Sequence, residues 1–266
     1  MTFRTLELSP PSPTMEGLRF VTVKSPALRR RGDLTLWEPD HAEPGNGPLV
    51  ILLHGVYGSH WSWALKGNAH RTAARLISAG TVQPMALAMP SDGLWGDGSG
   101  YLRHGDADYE RWIVEEIPAI ARKVLRSVGN HSSIYLSGLS MGGYGALRLG
   151  ALHSAKFRGV SAHSSITEIH QLGEFVEEPV SPLLLTAGCT SVLEAIKAHS
   201  RNLPPIRFDC GASDPLIEPN RALHQALDDA SIEHVYQEFP GGHQWAYWEE
   251  HLSDTLRFFA EIERQR

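Results

Sequence analysis

Short hydrophobic segments alternate with amphipathic segments along most of the chain, and this pattern predicts strands and helices in turn. Residues 18–23 and 32–37 alternate between apolar and polar side chains, which predicts two early antiparallel strands. Residues 49–53 form a continuous apolar run, which is typical of a strand buried on both faces of a sheet. Further strands are predicted at 85–89, 133–137, 159–163, 206–210 and 233–239.

Helical segments separate these strands. They are predicted at 68–79, 109–128, 142–152, 191–198, 219–229 and 245–262. Pro118 should kink or divide the second of them, because proline cannot donate the helical hydrogen bond. Regular alternation of strand and helix implies an α/β fold, with a mostly parallel sheet and helices on both faces. We expect a single domain over residues 1–266, with a small cap insertion at 164–203 where the alternation is interrupted.

Composition narrows the class of protein. The 266 residues are 42% hydrophobic and 20% charged, as in an ordinary globular protein, and the net charge of −6 argues against a nucleic-acid partner. No stretch approaches 18 apolar residues, so we expect no membrane span. The first residues lack the apolar core of a secretory signal, so a cytoplasmic location is expected.

Cys189 and Cys210 are expected to be reduced thiols, with a single bridge as the alternative. Assembly into a homo-oligomer stays open.

The segment 138–142, Gly-Leu-Ser-Met-Gly, fits the motif G-x-S-x-G, with Ser140 at its centre. The motif alone is weak, because glycine and serine are common residues. Here it follows a predicted strand and opens a predicted helix, which is the strand–turn–helix context that a nucleophilic serine needs in the α/β-hydrolase fold. The flanking glycines leave room for a strained turn. Ser140 is therefore the candidate nucleophile.

A serine hydroxyl needs a base, and the base needs an orienting acid. In this fold the chain order is serine, acid, histidine. Of the fourteen histidines, His243 follows the last strand in a Gly-Gly-His loop, and it is the candidate base. Asp214 follows the strand at 206–210 and is the candidate acid. Asp209 competes, but it lies inside that strand, and Glu218 is a weaker rival.

An oxyanion hole requires two backbone N–H groups. Met141, directly after the nucleophile, should supply one. The loop after 49–53 should supply the other, with Val56 as first choice and Tyr57 as second. His54 in that loop is expected to make a structural hydrogen bond.

Aromatic residues near the same sheet edge are candidates for substrate contact. Tyr57 and Trp95 are the two selected, whereas Trp61 and Trp63 are expected to pack in the core or to fill a loop. His163 is expected to be a satisfied structural histidine. The spacing of Asp92 and Asp97 fits no calcium loop, so no metal is predicted.

Three segments together resemble the putative esterase family, which includes esterase D, S-formylglutathione hydrolases, feruloyl and acetylxylan esterases and mycolyltransferases. They are Leu-His-Gly at 53–55, Gly-Leu-Ser-Met-Gly-Gly-Tyr-Gly-Ala at 138–146 and Gly-Gly-His-Gln-Trp at 241–245. The resemblance covers roughly residues 20–262. It implies an α/β-hydrolase fold, the same three catalytic residues, the oxyanion donors Val56 and Met141, and ester hydrolysis without a metal or organic cofactor.

The expected function is therefore that of a serine esterase acting on a small ester with a short acyl chain. The alternative is an acyltransferase, or a thioesterase like the S-formylglutathione hydrolases, with the same triad. The resemblance implies a cysteine-containing segment after the oxyanion glycine in S-formylglutathione hydrolases. Residues 56–61 contain no cysteine, which argues against a dedicated formylglutathione role.

Overall fold

The computed structural model describes residues 3, 5–11, 13–40, 42–184 and 190–265. Eleven strands lie in these ranges: β1 (Leu6–Leu8), β2 (Arg19–Lys24), β3 (Arg31–Trp37), β4 (Leu49–Leu53), β5 (Ala86–Pro90), β6 (Arg103–His104), β7 (Ala107–Asp108), β8 (Ile134–Leu139), β9 (Gly159–His163), β10 (Ile206–Gly211) and β11 (Val235–Phe239).

Nine α-helices lie among the same residues: α1 (Ser62–Leu65), α2 (Ala69–Ser78), α3 (Tyr109–Arg111), α4 (Ile117–Val124), α5 (Met141–Leu152), α6 (Ser181–Leu184), α7 (Val192–Ala198), α8 (Ile217–Asp229) and α9 (Trp245–Arg264). A π-helical segment, Trp112–Glu116, joins α3 to α4. Short 3₁₀ turns cover Pro13–Met15, Ser154–Lys156, Ile169–Glu174 and Ser200–Asn202.

One sheet of nine strands forms the centre of the fold, in the order β1-β2-β3-β5-β4-β8-β9-β10-β11. The strands from β5 to β11 in this order are parallel, and β1, β2 and β3 add antiparallel pairs at one side. The carboxyl ends of the parallel strands therefore meet at one edge. The loops after β4, β5, β8, β9, β10 and β11 all emerge there, and this is where ligands bind in open parallel sheets.

Strand β4 shows why the central strands are rich in apolar residues. Leu49, Ile51 and Leu53 pack into the core on one face of the sheet, whereas Val50 and Leu52 pack into the core on the other. All five side chains are fully buried. Helices cover both faces, so the prediction of an α/β sheet covered on both sides is confirmed.

The predicted elements are present with shifted ends, and one helix differs from its prediction. The helix expected at 109–128 is interrupted by the π-helical segment just before Pro118, and it ends at Val124. It stops early because the backbone N–H groups of Arg126 and Ser127 donate to the carboxylate of Glu38, which turns the chain away. The last strand begins at Val235 rather than 233, where its pairing with β10 starts.

Cys210 is a buried free thiol on β10, and Cys189 lies outside the described residues. Burial raises the pKa of the Cys210 thiol, which keeps it protonated and unreactive. Within the described ranges, no helix has the length and apolar character needed to cross a membrane.

Candidate active site

Ser140 lies in a sharp turn between β8 and α5, with φ of 54° and ψ of −120°. An L-residue rarely adopts a positive φ, so the turn stores strain at this position. Two hydrogen bonds hold it. The backbone N–H of Ser140 donates to the carbonyl of His163 at 3.0 Å, and the N–H of Tyr144 donates to the carbonyl of Ser140 at 3.1 Å. The side chain is therefore fixed at the carboxyl edge of the sheet.

The glycines on either side of Ser140 are required by close backbone contacts. A Cβ atom at Gly138 would lie 2.2 Å from the carbonyl oxygen of Gly142. A Cβ atom at Gly142 would lie 2.3 Å from the carbonyl oxygen of Leu53. Since backbone atoms cannot move aside cheaply, only glycine fits at both positions.

The structure brings Ser140, His243 and Asp214 together. Nε2 of His243 lies 3.0 Å from Oγ of Ser140. Nδ1 of the same ring lies 3.1 Å from Oδ1 and 3.0 Å from Oδ2 of Asp214. Ser140 and Asp214 are buried, whereas the His243 side chain is 18% exposed. The arrangement is a continuous hydrogen-bonded path from hydroxyl to imidazole to carboxylate.

The loops that carry Asp214 and His243 are joined to each other by their backbones. The N–H of Ala212 donates to the carbonyl of Phe239, and the N–H of Ser213 donates to the carbonyl of Gly241, each at 2.8 Å. These bonds continue the parallel pairing of β10 and β11 beyond the ends of both strands. The acid and the imidazole are thus held in register by main-chain contacts.

The carboxylate of Asp214 is kept ionised by its surroundings. Burial raises its pKa, but hydrogen bonding and charge interaction with His243, the N–H of Leu216 and the hydroxyl of Ser164 together lower the pKa below its ordinary value. The Leu216 N–H lies 2.8 Å from Oδ1. An ionised carboxylate at this place orients the imidazole and stabilises its protonated form.

Val56 and Met141 carry the two candidate oxyanion N–H groups, and Met141 directly follows Ser140 in the chain. Among the described residues, no group accepts a hydrogen bond from the N–H of Val56 or of Met141. The N–H of Tyr57, the second choice from the sequence, donates to the carbonyl of Asp97 at 3.0 Å and is therefore occupied. Gly98 packs against the side chains of Met141 and Val56. A Cβ atom at Gly98 would lie 2.5 Å from Sδ of Met141 and 3.3 Å from Cγ1 of Val56.

His54 fixes the loop that carries Val56. Its Nδ1 lies 2.7 Å from the carbonyl oxygen of Gly55, and its Nε2 accepts from the N–H of Asp92 at 3.0 Å. His54 is buried and makes structural hydrogen bonds, as expected. The Asp92 carboxylate accepts from the N–H groups of Leu94 and Ser99, so its oxygens stabilise the loop that follows β5.

Phe175, in the described part of the segment at 164–203, reaches the imidazole of His243. The ring of Phe175 stacks on that of His243, with centroids 5.2 Å apart. The neighbouring backbone is tied down, because the carboxylate of Asp97 accepts from the N–H groups of Glu177 at 2.9 Å and Glu178 at 2.8 Å. The hydroxyl of Tyr57 also accepts from Glu177 at 3.1 Å. This tie holds Phe175 against the imidazole.

Trp248 contacts the imidazole edge-on, with ring centroids 4.9 Å apart. Its indole N–H donates to Oγ of Ser164 at 3.1 Å. The Ser164 hydroxyl also lowers the pKa of the Asp214 carboxyl. Ser164 thus connects the carboxylate to a ring that packs against His243.

The tryptophans named from the sequence take different places. Trp63 is buried and donates to the carbonyl of Leu53 at 2.9 Å, which confirms the expected core position. Trp61, for which packing in the core or in a loop was expected, is 36% exposed and lies in the loop before α1. Trp95 is half-buried and packs edge-on against His104. Tyr57 is 58% exposed.

A second carboxylate–imidazole pair lies deeper in the sheet. Asp209 on β10 and His163 on β9 are both fully buried, with Nδ1 of the ring 2.9 Å from Oδ2. Nε2 of His163 lies 3.0 Å from Oγ1 of Thr255 on α9. Arg207 and the hydroxyl of Tyr247 also donate to the Asp209 carboxylate. Asp209 is therefore engaged away from His243, and His163 is a satisfied structural histidine.

Three residues at the site were not found from the sequence: Phe175, Ser164 and Trp248. Ser164 offered a signal, since it directly follows β9 at the carboxyl edge, where side chains of successive parallel strands converge. Phe175 offered none, because its position depends on the path of an irregular segment.

Similar proteins carry the same fold. A solved ferulic acid esterase superposes with a TM-score of 0.78 at 26% identity, covering 97% of this chain and 99% of its own. An S-formylglutathione hydrolase from Agrobacterium tumefaciens has a TM-score of 0.74 at 18% identity, covering 98% of this chain and 99% of its own. An acetyl esterase of Caldicellulosiruptor saccharolyticus is 26% identical over 236 residues, which are 82% of this chain and 85% of the relative. The class of protein is therefore a carboxylic ester hydrolase with the α/β-hydrolase fold.

The family follows from a match over most of the chain. The sequence model of the putative esterase family matches residues 25–259, and the chain belongs to this family.

Proposed function

We propose that the chain is a serine esterase in which Ser140, His243 and Asp214 form the catalytic triad and hydrolyse carboxylic esters with short acyl groups. The observation that carries the proposal is the hydrogen-bonded path through the imidazole, with 3.0 Å from Nε2 to the serine Oγ and 3.0 Å from Nδ1 to the aspartate Oδ2. These are the distances that general-base activation of a serine requires.

The reaction would proceed in two halves. His243 takes the proton of Ser140 as Oγ attacks the ester carbonyl, and the N–H groups of Val56 and Met141 stabilise the oxyanion. His243 then gives the proton to the leaving alcohol, which leaves an acyl group on Oγ. A water molecule, deprotonated by His243, attacks this acyl-enzyme and regenerates the serine. Asp214 stabilises the imidazolium in both halves.

Close packing around the oxyanion donors supports a small acyl group. Gly98 lies against the side chains of Met141 and Val56. Similarity to an acetyl esterase, at 26% identity, also supports a small acyl group.

Tyr57 and Trp95 are proposed to line the substrate site from different sides. Tyr57 is more than half exposed, and Trp95 lines a small cavity together with Leu172 and Val176. We propose that this segment is a cap within a single domain over 1–266. Its support is the Phe175 ring on His243 and the backbone tie to Asp97.

The proposal is tested by hydrolysis of p-nitrophenyl acetate, butyrate and octanoate. Wild type should turn over acetate fastest. Ser140→Ala should lose at least about 10³-fold in kcat, because no other group replaces the nucleophile. Ser213→Ala, which removes an exposed hydroxyl from the loop beside Asp214, is the matched control and should stay near wild type.

Two additional arms test the alternatives. An acetyl thioester hydrolysed faster than the matched oxygen ester would favour a thioesterase. Transfer of the acetyl group to an added alcohol in preference to water would favour an acyltransferase. Undiminished turnover in a well-folded Ser140→Ala variant would contradict the triad itself.

A further inference from the structure

Two histidines and an aspartate meet at the edge of the sheet opposite to the triad residues. His224 and Asp228 lie one turn apart on α8, and His234 directly precedes β11. Nδ1 of His224 lies 2.8 Å from Nε2 of His234. The Asp228 carboxylate lies 3.5 Å from Nε2 of His224 and 3.9 Å from Nε2 of His234. We propose that these three side chains bind a divalent transition-metal ion, with zinc as the best fit.

The hydrogen bonds of His234 leave one nitrogen suited to a metal. Its Nδ1 lies 2.8 Å from the carbonyl oxygen of Ile232, which can only accept, so Nδ1 carries a proton. In the neutral ring Nε2 then has a lone pair, and this lone pair faces His224. A metal-bound histidine typically donates its other N–H to a carbonyl or carboxylate in this way. The ion would take the place of the proton that the two rings now share.

The distances suit one ion with little movement. One ligand atom from each residue lies within 4.8 Å of the other two. Zinc bonds of about 2.0–2.2 Å place tetrahedral ligand atoms about 3.4 Å apart, so shifts of about 1 Å suffice. The side chain of His234 is 2% exposed, whereas those of His224 and Asp228 are 38% and 55% exposed. The exposed side chains of His224 and Asp228 can therefore move to meet an ion held by the buried His234.

The rings are supported by aromatic contacts. His234 stacks on Phe208 with centroids 5.6 Å apart, and His224 stacks on Tyr236 with centroids 4.7 Å apart. Two imidazoles and one carboxylate are a donor set for zinc and its neighbours, since calcium and magnesium prefer oxygen ligands alone. A fourth position stays open to water on the exposed side.

The position of the cluster gives the ion a structural effect. Helix α8 begins three residues after Asp214 (217 against 214), and β11 ends four residues before His243 (239 against 243). An ion at the cluster would join α8 and β11 on the side that lies away from Asp214 and His243. It would therefore oppose opening of this part of the fold without taking part in ester chemistry.

The test titrates metal-free protein with Zn²⁺ in competition with a chromophoric chelator. Wild type should bind one ion per chain. His224→Ala and Asp228→Asn should each weaken binding at least about tenfold, since each removes one ligand. His131→Ala removes an exposed histidine elsewhere and is the matched control, with unchanged binding. Co²⁺ should give visible absorption bands in wild type and in the control only.

A second readout separates this site from the ester chemistry. Saturating Zn²⁺ should raise Tm by several degrees in wild type and His131→Ala, and not in His224→Ala, because a ligand that binds only the native state stabilises it. Circular dichroism checks that the variants, which are changed at exposed positions, are folded. Absence of stoichiometric binding, or equal binding in wild type and His224→Ala, would overturn the proposal, whatever the outcome for the triad.

Discussion

Two aspartates five residues apart each hold a histidine, yet the two pairs lie in very different surroundings. Asp214 contacts His243 at the carboxyl edge of the sheet, and Asp209 contacts His163 inside it, with Nδ1–Oδ2 distances of 3.0 Å and 2.9 Å. In each pair the far nitrogen of the ring lies 3.0 Å from a hydroxyl, of Ser140 or of Thr255.

The difference between the pairs lies around the hydroxyl and the carboxylate. Ser140 is held in a strained turn, and in the part of the chain that the structure describes no group accepts from the N–H of Val56 or of the adjoining Met141. Thr255 lies in the middle of α9, where its Oγ1 is also 2.6 Å from Oγ of Ser161. The Asp209 carboxylate is neutralised by Arg207, which is itself buried. The two sets share the same hydrogen-bond pattern, so the proposal that only the outer set is catalytic rests on the surroundings of its hydroxyl and carboxylate.

The largest expected effect comes from exchanging the two aspartates for asparagine in turn. Asp214→Asn should lower kcat by about 10³–10⁴-fold, because the imidazole loses its orienting charge. Asp209→Asn should instead lower the free energy of unfolding by about 3–5 kcal/mol, because the Arg207 charge stays buried without its partner. Ester kinetics and urea unfolding on both variants measure the contrast. A larger kinetic loss in folded Asp209→Asn than in Asp214→Asn would reverse the assignment.

The next effect concerns the inner hydroxyl. Thr255→Val keeps the shape of the side chain but leaves His163 and Ser161 short of a partner, which should cost about 1–3 kcal/mol of stability. Turnover per folded molecule should stay near that of wild type. Thermal or urea unfolding and active-site-normalised kinetics check this. A loss of turnover comparable to that of Ser140→Ala would mean that the inner set takes part in the reaction.

A smaller effect is expected from acid. Burial raises the pKa of Asp209, but His163 and Arg207 outweigh it and lower the pKa from 3.8 to about 2. Because the folded value lies below the unfolded value, this carboxylate contributes stability above about pH 4 and loses it as the pH falls towards 2. The stability difference between wild type and Asp209→Asn should therefore be constant above this window and shrink within it. Urea unfolding at stepped pH measures it, and a difference that grows on acidification would contradict the sign.

The smallest effect should come from Ser164→Ala. The variant removes a hydroxyl that lowers the pKa of Asp214 and that accepts from the Trp248 indole, so we expect a loss of about tenfold in kcat. The acid limb of the kcat/KM profile should also move to higher pH, which a purely structural role would not cause. Thr is the conservative rescue, because Ser164→Thr keeps the hydroxyl. An unmoved profile in Ser164→Ala would exclude a positioning role.

Sequence patterns predicted the sheet well because parallel strands buried on both faces need apolar residues throughout, as in β4. The choice of Asp214 over Asp209 also rested on physical position, since only a residue after the strand reaches the carboxyl edge. Whether that choice holds for catalysis stays a prediction.

The remainder depended on contacts that no local pattern encodes. The sequence predicts a helix over 109–128, kinked or divided at Pro118, but contacts with Glu38 from a distant loop end it at Val124. Phe175 reaches His243 only because Asp97 and Tyr57, about 80 and 120 residues earlier, hold the backbone of the adjoining Glu177. Such long-range hydrogen bonds decide where an irregular segment lies, and they follow from the fold rather than from spacing.

The positive φ of Ser140 has an evolutionary consequence. Glycine tolerates this backbone conformation far better than serine does, so replacement by glycine would relieve strain of about 1–3 kcal/mol while removing the hydroxyl. Selection for stability therefore favours glycine at position 140, whereas selection for turnover favours serine. In a lineage released from selection for ester turnover, we expect drift towards glycine here, so that the loss of the nucleophile leaves a sturdier protein behind.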